Sequence, residues 1–277
     1  MHDSPLSKKG VIASLIIALL FLFIAFLKQS GDSFVVFCDV GQGDASYIHI
    51  SPNIDILIDA GKDSSVLSCI GKYMPISDHK IELAFISHFQ NDHYGGYINL
   101  LKHYQIDQMI ISSPAPDSPG VSRLLKALRE RMTNIHWMFA GDSIEFDGGK
   151  ISMIWPTKDY SQSSRPNNDP NNLSQVMVFS TKNHSILYTG DASSRSLDYL
   201  SEQAILKVDI LKVPHHGSKN GLNRNFLLLA DPTYALISSG INNSYGHPSA
   251  EILEMLEANN VNILRTDQNG HIRFSLE

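Results

Sequence analysis

Residues 87–96 read Ser-His-Phe-Gln-Asn-Asp-His-Tyr-Gly-Gly, directly after an apolar run over 81–86 that only Glu82 interrupts. An apolar run of that length, stopped abruptly by polar residues, describes a buried strand. Beyond it the period changes. Tyr97, Leu100, Leu101 and Tyr104 recur at helical spacing, so a helix is expected over 96–103. The strand therefore delivers His88, and a polar turn presents Asp92 and His93 before the helix begins. Imidazole and carboxylate are the usual ligands of Zn²⁺ and related ions. One histidine at such a place is most often a cap or a core residue, but two histidines and an aspartate within six residues favour a metal site. Gly95 and Gly96 allow the backbone to pack tightly beneath it.

Two other strand ends repeat the arrangement. Residues 185–189 form an apolar strand leading to Gly190-Asp191, and residues 210–213 lead to Pro214-His215-His216-Gly217-Ser218. Ligand-type residues at several strand ends gather along one edge of a layered domain. Around them the chain reads as short strands at 34–38, 45–50, 54–58, 108–111, 143–146, 150–155, 175–180, 234–238 and 271–276, with helices at 121–131 and 250–258. Residues 158–172 lack apolar periodicity and read as loop. Strands in runs, then alternating with helices, predict an α/β (α+β) domain of two sheets with helices outside.

Composition narrows the function classes. The 277 residues carry 22 Lys+Arg against 28 Asp+Glu, a formal net charge of −6, with two cysteines, Cys38 and Cys69. That cysteine count excludes a disulfide-dense scaffold and a four-cysteine zinc module, and both cysteines read as non-catalytic. The acidic balance excludes a protein that grips nucleic acid over its whole surface, while leaving room for a local groove. Residues 11–27, VIASLIIALLFLFIAFL, contain Ser14 as their only polar side chain. At ~1.5 Å per residue they nearly cross a hydrocarbon core of ~30 Å. Lys8 and Lys9 bias the N-terminus to the cytoplasm. No A-x-A signal ends the run, so an uncleaved anchor is preferred to a cleaved signal peptide, with a buried core helix as the third reading. A single span excludes a multi-spanning transporter. The expected organisation is a membrane anchor or signal segment over 1–32 and a folded domain over 33–277. That domain is expected outside the cytoplasm, tethered to the membrane or, if the segment is cleaved, secreted.

The motifs also carry a family resemblance. In chain order they are Phe37-Cys38-Asp39-Val40-Gly41-Gln42-Gly43-Asp44-Ala45, then Leu57-Ile58-Asp59-Ala60-Gly61, then His88 with Asp92-His93, then Asn171-Asn172-Leu173-Ser174. Gly190-Asp191, Lys212-Val213-Pro214-His215-His216-Gly217-Ser218, Tyr245-Gly246-His247-Pro248 and Thr266-Asp267-Gln268-Asn269-Gly270 follow. The ordered set covers roughly residues 33–277 and resembles the metallo-β-lactamase superfamily, most closely the hydrolase domain of ComEC-type competence proteins. The resemblance implies a four-layer αββα sandwich, here preceded by one N-terminal transmembrane helix, with a metal centre in a groove along one edge. It implies metal-assisted hydrolysis, in which the ion lowers the pKa of a bound water and polarises an ester.

Carried onto this sequence, the resemblance makes Asp92, His93 and His215 ligands of one ion, with Asp191 bridging and His88 belonging to a second position. His216 is either a ligand or a support for one, and the sequence does not separate it from His215. Asp92, Asp191 and His247 form the expected catalytic set. His247 either contacts a substrate oxygen and donates a proton, or simply shapes the entry to a helix. Asp59 is expected to orient a ligand histidine. Asn172, Ser174 and Ser218 are expected at the substrate or holding its loop. Asp39 and Asp44 read as loop-shaping residues, and Lys212 either sits near an anionic substrate or is simply a solvated strand lysine.

Two departures from the family pattern bear on the metal. Gln90 stands where the superfamily has a histidine two residues after the first, and a neutral amide is a weaker ligand for Zn²⁺ than imidazole. The only histidine near the bridging aspartate, His184, precedes the strand that delivers Asp191, which puts it about 20 Å away at the wrong end. The Asn171-Asn172 segment is expected at that rim instead. The reading is one tightly held divalent ion, Zn or Mn, with any second one weak. As substrate the resemblance points to phosphodiesters, DNA among them, because the full-length competence proteins are linked to degrading one strand of incoming DNA. With one apolar span and no many-helix channel, the chain is expected to be a membrane-anchored nuclease or phosphodiesterase. The acidic charge makes a small envelope or choline-type ester as suitable a substrate as DNA. A catalytically weak binding module beside a DNA-uptake or envelope partner is the alternative that Gln90 favours, and β-lactam hydrolysis is a weaker one.

Overall fold

The computed structural model describes residues 10, 11, 14–21, 31–163, 169–201 and 206–277. The first sheet is built from β1 (Phe34–Phe37), β2 (Ser46–Ile50), β3 (Ile54–Ile58), β4 (Lys80–Phe85), β5 (Gln105–Ile111) and β6 (Asn134–Trp137). The second contains β7 (Ser143–Phe146), β8 (Gly149–Trp155), β9 (Val176–Ser180), β10 (Ser185–Tyr188), β11 (Ile210–Lys212), β12 (Tyr234–Ile237) and β13 (Asn262–Arg265). The last strand, β14 (Ile272–Ser275), returns to the first sheet beside β1. Among the described residues the orders are β14-β1-β2-β3-β4-β5-β6 and β13-β12-β11-β10-β9-β8-β7. Both sheets are mixed: β3 to β6 are parallel, as are β10 to β13, while the hairpins are antiparallel.

Period-two alternation sorts the side chains into separate layers. Along β1, Val35 and Phe37 enter the core between the sheets, with Ile48, Ile56, Phe85, Phe179 and Ile186. Phe34 and Val36 point the other way, into a layer shared with Ile70, Tyr97 and Leu124. A third layer joins Leu187, Leu211 and Ala235 to Leu197, Phe226 and Ile252. Helices Ser65–Tyr73, Tyr97–Leu100 and Pro119–Glu130 thus cover one sheet, and Ser194–Ser201, Arg224–Ala230 and Ala250–Ala258 the other. The order of layers is helix, sheet, sheet, helix. Pro119–Glu130 shows why its residues are helical: Ser118 Oγ caps Val121 N–H, Pro119 opens the first turn, and Val121, Leu124 and Leu128 share the buried face.

Several expectations change. Residues Lys158–Ser163 form a short helix, not loop, and Ser65–Tyr73 is a helix the apolar pattern did not announce. Residues 10, 11 and 14–21 are helical, with Leu15, Ile16, Leu19 and Phe21 exposed. The rest of the expected anchor, at 12–13 and 22–27, lies outside the described residues, among which no helix is long and apolar enough to cross a membrane. Cys38 and Cys69, which the sequence left unpaired, form a buried disulfide that ties the end of β1 to helix Ser65–Tyr73. It closes a loop with a sequence separation of 31. Replacing both cysteines by serine is expected to lower unfolding stability by roughly 3 to 4 kcal/mol, measured by chemical denaturation.

Candidate metal centre

Parallel strands place their C-terminal ends together, and this site is built on those ends. From β4 the chain runs through Ser87 and His88 to the short helix Asn91–Tyr94, which carries Asp92 and His93. From β10 it runs through Thr189 and Gly190 to Asp191. From β11 it enters the turn Pro214–Gly217, where His215 and His216 both have left-handed backbones, φ 52° and 54°. Consecutive non-glycine residues in that region are strained by about 1 to 3 kcal/mol each, and such strain collects at functional sites. Gly217 follows with φ 80°, and a Cβ there would lie 2.6 Å from Pro248 Cβ. Beneath the first histidine motif, a Cβ on Gly96 would run into the Ala60 carbonyl, so that close approach also needs glycine.

Ligand atoms of Asp92, His93, Asp191 and His216 all lie within 4.8 Å of one another. His93 Nε2 is 3.2 Å from Asp191 Oδ1, and His216 Nε2 is 3.5 Å from both Asp92 Oδ2 and Asp191 Oδ2. Ligands at 2.0–2.1 Å around a tetrahedral ion stand about 3.3 Å apart. The His93 and His216 Nε2 atoms and Asp191 Oδ1 are buried with no hydrogen-bond partner. Three orphaned buried atoms converging on one point, of the donor types that divalent cations take, fit a metal ion.

The groups behind these ligands fix their direction. Asp59 Oδ2 lies 2.8 Å from His93 Nδ1 and is itself held by Ser87, whose Oγ donates at 2.7 Å while its N–H donates to Oδ1 at 2.8 Å. His216 Nδ1 faces the Ser238 carbonyl at 3.0 Å. A histidine engaged at Nδ1 offers Nε2 to a metal. Lys212, expected to be solvated, is instead 2% exposed. Its ammonium pairs with Asp44 and donates to the Gly190 carbonyl at 3.1 Å. Asp44 also approaches His216 Nδ1 at 3.3 Å, and its N–H donates to the Asp92 carbonyl at 3.2 Å.

Charge follows from this packing. Burial alone would lower the pKa of His93, but Asp191 and Asp59 outweigh it and hold the imidazole well above its usual value. For His216 burial is likewise outweighed, by Asp191 and Asp44, and the pKa rises to about 9. Burial raises Asp44, yet Lys212 and His216 pull it down to about 2. His88 is pushed down to about 3 by burial and then by His93.

Not every expected residue joins the group. His216, not His215, completes it, because the left-handed turn buries the second ring and leaves the first at the pocket wall. There His215 Nε2 is 3.8 Å from Asp191. His88 lies against His93, ring centroids 4.2 Å apart and planes tilted by 54°, with Nδ1 close to the Ser87 and Ser174 hydroxyls, and lies outside the four-residue group. Gln90 donates from Nε2 to Asn171 Oδ1 at 2.8 Å on the rim. Asn172, Ser174 and Ser218, expected at the substrate or holding its loop, are not among the residues that line the pocket. Asn172 accepts from Trp155 Nε1 at its backbone carbonyl and from Ser193 Oγ at Oδ1. Ser174 is fully buried and accepts from the Asp191 N–H, and Ser218 accepts from the Asn220 N–H. His184 sits at the far end of β10.

The pocket, about 300 Å³, is lined by His247, His215, Gln90, Asp92, Asp191 and His216, together with Gln42, Lys62, Asn91 and Tyr245. Sequence reasoning missed Lys62 and the buried Lys212. The signal for Lys212 was its apolar flanks, Leu211 and Val213, since a continuous apolar parallel strand is buried on both faces.

A fold of two packed mixed sheets with a histidine–aspartate cluster at the strand ends defines a class, and the family model for the metallo-beta-lactamase superfamily matches residues 38–240. The chain belongs to that superfamily. Within it, the chain is similar to ComE operon protein 3 of Bacillus subtilis, 28% identical over 99% of this chain and 37% of that protein. It is also similar to Recombination protein 2 of Haemophilus influenzae, 27% identical over 94% of this chain and 31% of the relative. The chain thus spans about a third of the length of these relatives. Among solved structures, the metallo-beta-lactamase fold protein YhfI from Bacillus subtilis matches with a TM-score of 0.56 at 15% identity, covering 88% of this chain and all of that one. Zn²⁺-bound PqqB from Methylobacterium extorquens matches with a TM-score of 0.56 at 9% identity, covering 87% and 99%. These two share the fold.

Two outcomes test the centre. His216→Ala is expected to lower divalent-ion affinity at least about 10-fold by titration calorimetry, whereas His215→Ala leaves it within about 3-fold. Because His216 keeps its proton up to about pH 9, a cation must displace it. Affinity should therefore rise with pH toward that value, with proton release visible in buffers of different ionisation enthalpy.

Proposed function

We propose that the chain is a metal-dependent phosphodiester hydrolase, a nuclease or small phosphodiesterase resembling the competence proteins. The observation that carries this is the convergence of Asp92, His93, Asp191 and His216 beneath a polar pocket. These four would hold one Zn or Mn ion tightly. When bound, such an ion supplies Lewis-acid polarisation of a phosphoryl oxygen and a water of lowered pKa.

The chain's own residues do the rest. Asp191 is held well below the usual carboxylate range, because His216 and His93 outweigh its burial, and so remains an anion at neutral pH. His247 is lowered by burial and by His216 and His215, and is neutral at pH 7. Gln42 Oε1 accepts from the Gly240 N–H at 3.2 Å, which turns its Nε2 toward His247 Nδ1 at 3.4 Å. His247 then carries its proton on Nε2 and presents that N–H as a donor for a substrate or leaving-group oxygen. The buried disulfide suits an oxidising compartment, and the exposed apolar side chains of helical residues 14–21 suit a membrane. Both support a domain held outside the cytoplasm by an N-terminal anchor. A binding module without turnover is the second reading, favoured by the Gln90–Asn171 bond on the rim.

The test compares single-stranded DNA, duplex DNA and bis-p-nitrophenyl phosphate, with Mn²⁺ or Zn²⁺ returned to chelator-treated protein. Asp191→Ala should abolish turnover and ion retention together, and turnover that survives it rules the mechanism out. His247→Ala should lower kcat by about 100-fold or more while the ion stays bound.

A further inference from the structure

Beneath the four metal ligands lies a second acidic group, and the hydrolytic scheme gives it no task. Ligand atoms of Asp44, Asp59 and His93 stand within 4.8 Å of one another, and all three side chains are buried. The ammonium of Lys212 enters this group from the end of β11 and pairs with Asp44. Beside it is a cavity of about 10 Å³, lined by Asp44, Asp59, Ser46, Ser87 and Lys212 among others. That is room for one water-sized group at most. From the Lys212–Asp44 pair, short contacts lead toward every one of the four ligands. Asp44 N–H donates to the Asp92 carbonyl at 3.2 Å, Asp44 Oδ2 is 3.8 Å from His93 Nδ1, and Asp44 Oδ1 is 3.3 Å from His216 Nδ1. The ammonium donates to the Gly190 carbonyl at 3.1 Å, directly before Asp191. Gly190 sits in a left-handed turn, φ 46°, where a Cβ would run into Ser174 Oγ.

We propose that Lys212 is a positioning residue: its ammonium is the built-in cation of this second group, and through Asp44 and Gly190 it sets the direction of the metal ligands above. The proposal rests on the reading of those four residues as a metal centre. It goes beyond that reading, because Lys212 does not line the pocket and acts only through its neighbours. A buried carboxylate group without a counter-ion is costly, and it takes a cation or a proton from solution instead. Either exchange frees the Gly190 carbonyl and lets Asp44 shift against His216. Charge by itself has the opposite consequence. A positive group so close to the centre opposes a divalent ion, so its removal alone would tighten binding. Position and charge therefore differ in the sign of their effect.

Titration calorimetry of the chelator-treated full chain with Mn²⁺ tests this. Lys212→Ala should lower the affinity at least about 10-fold, despite the lost positive charge. Methylammonium chloride, a primary ammonium small enough for the vacated space, should return it to within about 3-fold of the native value by binding at Asp44. Tetramethylammonium chloride at the same ionic strength should not. In the double variant, Asp44→Asn with Lys212→Ala, the carboxylate that receives the amine is gone and methylammonium should have no effect. If Lys212→Ala is too unstable to titrate, the same comparison is read in urea denaturation. There methylammonium should raise the midpoint of the single variant and not that of the double one. Affinity that is unchanged or higher in Lys212→Ala, no recovery with methylammonium, equal recovery with both salts, or recovery that persists without Asp44 overturns the proposal. The parent reading fails separately. A native chain that binds no Mn²⁺ removes the metal centre, whereas native binding that Lys212→Ala leaves intact removes the positioning role alone.

Discussion

His93 and His216 are both enclosed, and each is held at Nδ1 by an oxygen behind the ring, Asp59 for one and Ser238 for the other. A ring fixed on that side has a single direction left for Nε2, and both rings point it at the carboxylates of Asp191 and Asp92. The rest of the architecture serves this arrangement. The parallel portions of both sheets end at one edge, so β3 supplies Asp59, β4 the loop with Asp92 and His93, β10 Asp191, β11 His216 and β12 Ser238. The ends of these strands are buried, so Asp59, His93, Asp191 and His216 cannot relax toward solvent without unpacking a layer.

Such a cluster has to balance its charge. Asp44, Asp59, Asp92 and Asp191 are carboxylates at or under this site, and Lys212 is the one permanent cation among them. Burying that excess of negative charge uncompensated is costly. Protons on His93 and His216 compensate it, which explains why both imidazoles are raised despite their burial. A divalent ion held there would bring two positive charges to the same carboxylates in place of those protons. Lys212 is part of the scaffold: seated on Asp44 and on the carbonyl of Gly190, it ties the glycine loop after β1 to the residue preceding Asp191.

Much of this was legible in the residues. The apolar runs that stop at His88, at Gly190-Asp191 and before His215-His216 marked strands that all deliver ligand-type side chains at their ends. The two-sheet layering followed from strands first in runs and then alternating with helices. What stayed hidden depended on long-range geometry. His215 and His216 are chemically identical in the sequence, and only the left-handed turn, closed against Pro248 through Gly217, decides which ring is buried. Cys38 and Cys69 pair because β1 and a helix from elsewhere in the chain share one apolar layer. Helix Ser65–Tyr73 was missed because its short buried face, Val66, Cys69 and Ile70, is interrupted by serines and a glycine. Ser174 lies behind the cluster, with its hydroxyl against the Asp191 N–H and His88 Nδ1, a side-chain direction that residue type does not encode.

The rim supports the proposed preference for a single ion. Where the wider superfamily has a histidine, Gln90 donates to Asn171, and the Asn171 amide in turn lies 3.5 Å from His215 Nδ1. These groups satisfy one another, so they need no cation, in contrast to the orphaned atoms deeper in the site. His88 Nε2 is the remaining buried lone pair on that side, on a ring pushed down to about 3 and so neutral. One imidazole facing a closed amide pair is a poor cradle for a second divalent ion, which ordinarily needs several donors. The same closure leaves neutral amides, His215, His247 and Lys62 around the carboxylates of Asp92 and Asp191 in the pocket.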